Sequence, residues 1–168
     1  PGKSIADIRF DNLFYADKAK ESYAAFKRLR DAGKIALGTR FQVDLVPAHS
    51  VLWLFLIEPL QAPVDPIYND ALAREIDKLA AAIPHADLAI QFDVASAVFA
   101  RLQRSETGVY GDSKAAMQEK VAASRAGRAD RCPADIQLLF HFCYGDSNHR
   151  HVVEPADMGD MVDMATRL

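Results

Sequence analysis

His141 and Cys143 stand two residues apart at the end of the apolar run Ile-Gln-Leu-Leu-Phe-His-Phe-Cys-Tyr, residues 136–144, just before Gly145-Asp146 interrupts it. The run reads as a β-strand. Side chains at i and i+2 of a strand project from one face with their Cα atoms about 6.5 Å apart, so an imidazole and a thiolate can converge on one ion such as zinc. The plainer alternative is a buried thiol beside a hydrogen-bonded core histidine. Asp146, Ser147, Asn148, His149, Arg150 and His151 follow in a loop, with Glu154 beyond it. That is the carboxyl end of a strand, where parallel α/β folds hold their chemistry. Asp146, His149, His151 and Glu154 are further donor types, although a solvated or substrate-touching loop accounts for them better. Cys132 beside Pro133 reads as packing, and His49 as a solvated loop histidine.

Several elements must position these groups. Residues 40–46 alternate, with Phe41, Val43 and Leu45 on one face and Arg40, Gln42 and Asp44 on the other. Residues 87–93 repeat the pattern, with Leu88, Ile90 and Phe92 opposed to Ala89, Gln91 and Asp93. Both predict strands with one polar face. Helices are expected over 16–32, with Tyr23, Phe26 and Leu29 as its stripe and Gly33 as its stop, and over 67–83, between Pro66 and Pro84. Further helical segments are expected over 94–102, over 113–126 and from Pro155 onward, the last with Met158, Met161, Val162 and Ala165 inward. Residues 51–60 are apolar but fit helix or strand, Pro59, Pro63 and Pro66 suggest a linker, 5–10 is a weak strand candidate, and 104–112 suits a loop.

The chain has 168 residues, half of them hydrophobic, with a net charge of -3. This suffices for a sizeable core in one domain or part of one. No basic nucleic-acid signature appears, so nucleic acid is not an expected partner. The apolar run 51–57 is too short to span a bilayer, and no secretory leader opens the sequence, so no membrane is expected. Two cysteines make no disulfide framework and favour a reducing, cytoplasmic setting. No glycine-rich Gly-x-Gly-x-x-Gly loop follows a strand, which leaves a dinucleotide site without support.

Strands alternating with helices predict βα units and a parallel sheet. In three successive strands the large apolar residues share one parity while the opposite parity turns polar near the carboxyl end. A (β/α)8 TIM-type barrel accounts for this, with apolar side chains facing the helix ring and polar ones the mouth. Such a barrel takes about 250 residues. The expectation is therefore that residues 1–168 form a partial barrel domain covering about half of it. Pro1 in place of an initiator Met agrees with a fragment of a longer chain, and a self-associating half-barrel is the other arrangement.

His141-Phe142-Cys143-Tyr144 resembles the His-x-Cys-Tyr zinc motif of cobalamin-independent methionine synthase, and Ile90-Gln91-Phe92-Asp93 resembles the strand that gives that enzyme's amino-acid substrate an aspartate. With Gly145-Asp146 and Glu154-Pro155 added, the pattern is similar to the wider uroporphyrinogen decarboxylase and methionine synthase superfamily, from about Arg40 onward. The resemblance implies zinc held by His141 and Cys143, and Asp93 as a contact for a substrate amine; Gln91, Gln42 and Tyr144 are expected to complete the substrate surface. The resemblance also implies a thiol substrate and a methyl donor such as a methylated folate. Zinc would favour the substrate thiolate, the nucleophile for methyl transfer. The family's other ligands, a glutamate and a second cysteine, come from strands later than Leu168, and Val94-Ala95 replaces the synthase's Glu-Pro.

The expected function is thus zinc-dependent methyl transfer to a thiol, with the catalytic residue itself unassigned. Two other classes stand beside it: a metal-independent decarboxylase-like lyase using Asp93, Asp44 and Arg40, and a non-catalytic barrel protein.

Overall fold

The computed structural model describes residues 4–168, the side chains of 125–129 excepted. Helix α1 (Tyr15–Asp31) precedes strand β1 (Phe41–Leu45), which is followed by helices α2 (Ala48–Phe55) and α3 (Glu58–Ala82). Strand β2 (Leu88–Val94) leads into α4 (Ser96–Arg104) and α5 (Lys114–Ala129), then strand β3 (Gln137–Phe142) and helix α6 (Gly159–Ala165).

The three strands pair in parallel in the order β1-β2-β3. Val43 is opposite Ile90, and Phe92 opposite Phe140. This overturns the expected (β/α)8 barrel, whole or half: the sheet is open and three-stranded. Side-chain parity told correctly which face of each strand is wet. It says nothing of how many strands pair or whether they close, and an open sheet with one uncovered face produces the same alternation.

Beneath the apolar face, Leu45, Leu88, Ile90 and Phe92 pack with Leu52 of α2 and with Val64, Leu72, Ile76 and Leu79 of α3. A second cluster joins Val94 to Val98, Phe99 and Leu102 of α4, Met117 and Val121 of α5, Tyr144, and Met164 of α6. Phe92 stacks on Phe140 at 6.1 Å, and Phe99 meets Phe142 edge-on at 5.9 Å, so aromatic contacts tie the strand ends to both clusters.

Helix α1 begins one residue before the expected start, and its stripe is only partly inward. Tyr23 and Phe26 pack against Phe41, whereas Leu29 is exposed and Ala16 and Ala19 are the buried positions. Its first turn carries no side-chain cap of its own. Glu75 of α3 supplies one from a distance, its buried carboxylate accepting from the Ala16 amide at 2.8 Å and pairing with Lys78 at 2.7 Å. A negative charge at a helix N-terminus meets unpaired N–H groups and the positive end of the dipole.

Helix α3 runs straight through the segment that proline content suggested as a linker. Pro59 lies in the first turn, where no N–H is needed, but Pro63 and Pro66 are interior and each removes a backbone donor. Burial of Val64, Tyr68, Leu72, Ile76 and Leu79 along one side offsets that cost. Residues 51–60 resolve as the end of α2 and the start of α3, and Ile5–Asp7 forms a 3-10 turn rather than a strand. The final helix starts at Gly159, not Pro155, leaving Met158 and Val162 exposed.

Candidate functional site

The polar parity of all three strands forms one continuous face. Register sets Asp44 beside Gln91 across β1 and β2, and Asp93 beside His141 across β2 and β3. The Gln42 amide donates to Asp44 Oδ1 at 2.8 Å and to Gln91 Oε1 at 3.2 Å, and the Gln91 amide donates to Asp93 Oδ1 at 3.0 Å. This relay orients one oxygen of Asp93 and polarises the chain that leads to it. Gln42, Asp44 and His141 are exposed, and Gln91, Asp93 and Cys143 are half-buried, so the face is open to a ligand.

Cys143 lies just past β3, where its amide donates to the Val94 carbonyl at 3.4 Å. The thiol is free, as is that of Cys132. Burial pushes the Cys132 thiol above the usual range, with Asp135 adding to the effect, which suits the packing role expected of it.

The structure therefore brings Gln42, Gln91, Asp93 and His141 to one face, with Cys143 just beyond the end of β3. Tyr144 is not among them. It is 3 % exposed and packs in the second cluster, its ring 5.4 Å from Phe99 and 5.8 Å from the His151 ring. Burial, then the nearby Asp160 and Asp157, raise its phenol above the ordinary value.

The loop after β3 lines a separate cleft of about 540 Å³ with Gly145, Asp146, His149, Arg150, His151 and Glu154. Two of its donor types hold the loop itself: Asp146 Oδ1 accepts the His149 amide at 3.0 Å, and Glu154 pairs with His151 Nδ1 at 3.0 Å. Gly145 takes φ +86°, and a Cβ there would come within 2.8 Å of the Ser96 Cβ. The close approach of the loops after β2 and β3 thus requires glycine. Ser96 carries no signal in the sequence, because a serine opening a short helix looks like any other.

Arg40 Nη1 donates to the His85 and Leu88 carbonyls, both at 3.0 Å, so this cation braces the amino-terminal end of β2 instead of facing the polar stripe. At the same end, Asp87 receives both terminal nitrogens of Arg30 at 2.6 Å and the Tyr23 hydroxyl, which holds its carboxyl at about 2. This network clamps α1 to the strand that carries Gln91 and Asp93.

Imidazole and thiolate suit zinc, but the pair supplies only two donors. Among the described residues no three His, Cys, Asp or Glu side chains stand close enough to hold a metal ion. The residues present do not complete a zinc site, which needs at least three protein ligands even when substrate fills the fourth position. No described helix is long and apolar enough to cross a membrane.

No family model, curated protein or solved structure matches this chain.

Proposed function

We propose that the open face binds an amine-bearing thiol at the carboxyl ends of β2 and β3 and promotes transfer of a methyl group to its sulfur. One observation carries the reading: Asp93 and His141 are register partners across β2 and β3. Asp93 meets the substrate ammonium through a charge-assisted hydrogen bond, and the Gln42-Gln91 relay keeps its carboxylate oriented. His141 takes the thiol proton. The sulfur lone pair then forms the new bond to the methyl carbon as the bond from that carbon to the donor nitrogen breaks; the nitrogen keeps the electron pair and takes the proton back from His141. The similarity of the His141-to-Tyr144 stretch to the methionine synthase motif supports a methylated folate as donor. Because two donors do not make a zinc site, no step here runs through a metal. The two free thiols agree with a cytoplasmic setting.

The test is direct. The protein is incubated with homocysteine and a methylated folate, with and without added zinc, and the thioether is measured by mass spectrometry. Product formation that falls in both Asp93→Asn and His141→Gln supports the reading. Binding of the thiol without turnover would make the chain a binding module, and neither binding nor turnover would remove the proposal.

A further inference from the structure

A second cavity plays no part in that reaction. It measures about 510 Å³ and is lined by Trp53 of α2, Glu58 and Gln61 of α3, Arg101 of α4, and Glu106 and Gly108 beyond it. Its size suits a small ligand.

Arg101 is only 7 % exposed. Its guanidinium carbon lies 5.7 Å from the ring centroids of both Trp53 and Tyr110, and Nη2 reaches Gln61 Oε1 at 3.4 Å. Nη1 is buried and, among the described residues, meets no acceptor. An arginine cannot shed its charge, so a guanidinium nitrogen withdrawn from water without an acceptor is costly and calls for an anionic oxygen. The space beside it is kept by Gly108: at φ +54°, a Cβ there would come within 2.8 Å of Nη1 and 3.1 Å of Glu58 Oε1.

The charge balance narrows the ligand. One guanidinium faces two carboxylates, Glu58 and Glu106, so a simple anion that reaches Arg101 also meets net negative charge. A molecule carrying both a carboxylate and an ammonium satisfies both signs. We propose that this cavity binds a small zwitterion of the amino-acid class, its carboxylate on Arg101 Nη1, its ammonium toward Glu58 and Glu106, and its side chain along the Trp53 ring. The site is independent of the polar sheet face, since none of its lining residues lies on a strand.

Trp53 is the chain's only tryptophan and lines both this cavity and a neighbouring one beside Leu54 and Ser96, so the Arg101 and glutamate variants below are what tie a fluorescence change to this cavity. Titration with the free amino acids, with acetate and methylamine as half-ligand controls, should give a saturable change for an amino acid and at least about tenfold weaker binding for either half. The exposed pair Glu58→Gln and Glu106→Gln should weaken the amino acid about tenfold while strengthening acetate. Arg101→Gln should abolish binding; should that variant unfold by circular dichroism, Gly108→Ala tests the same contact by placing a methyl group against Nη1. The proposal is overturned if no amino acid produces a saturable change up to about 20 mM. Acetate binding as tightly as the amino acid, or glutamate variants without effect, would overturn it as well. An internal ion pair between Glu58 and Arg101 would give the first of these results.

Discussion

Removing the carboxylate at Asp87 should expose how firmly α1 is clamped to the central strand. Asp87 accepts a two-pronged hydrogen bond from Arg30 and a third from Tyr23, and its carboxyl is held at about 2 rather than 3.8. Taken at face value that difference is at most about 2.5 kcal/mol of stability. The side chain keeps 20 % of its surface in water, and screening reduces the expected contribution to about 1–2 kcal/mol. The sign follows from the direction: a carboxyl held below its unfolded value stabilises the fold fully above about pH 4, and that stabilisation drains away as pH falls toward 2. Asp87→Asn removes it at every pH and also strands Arg30, whose side chain is 14 % exposed. The variant should therefore be about 2–3 kcal/mol less stable at neutral pH, with the gap narrowing in acid. Urea unfolding followed by circular dichroism between about pH 7 and pH 2 measures both curves. If wild type and variant fall in parallel across the acid range, the Arg30-Asp87-Tyr23 network does not carry this stability.

Asp93→Asn should leave the unfolding midpoint near that of the wild type, since the side chain is half-exposed, yet weaken binding of an amino-thiol about tenfold or more by calorimetry. Zinc should bind the wild-type chain only weakly, as two donors allow, and Cys143→Ser should remove what binding there is; tight stoichiometric zinc in a chelator competition would reveal a third ligand. Gly145→Val should cost about 1–3 kcal/mol in urea unfolding, because φ +86° and the contacts with Ser96 and Val152 leave no room for a side chain. Phe92→Ala, at a fully buried ring stacked on Phe140, should cost about 3–5 kcal/mol, and a loss under 1 kcal/mol would mean that this part of the core is loosely packed.

The alternation of apolar and polar residues was enough to place the strands and to say which side chains share the polar face. A strand's two-residue period is local, and nothing distant can change which neighbours point the same way. For the same reason the side chains of Gln42, Gln91, Asp93 and His141 share one parity of the paired strands. It also located the long helix before β2, through the stripe of Leu72, Ile76 and Leu79. Other features depend on residues far apart in the chain and were settled only by tertiary structure. Among the described residues the sheet has three strands and is open, because pairing partners and closure are long-range choices that parity does not encode. Helix α3 continues through Pro63 and Pro66 because burial of its inner side outweighs two lost backbone donors, a comparison no local propensity contains. Glu75 caps a helix 59 positions away, Arg40 turns to brace backbone carbonyls, and Tyr144, adjacent to Cys143, is drawn into the core by Phe99. A zinc site has the same dependence: spacing can align two donors on a strand, but a third must be delivered by another part of the fold.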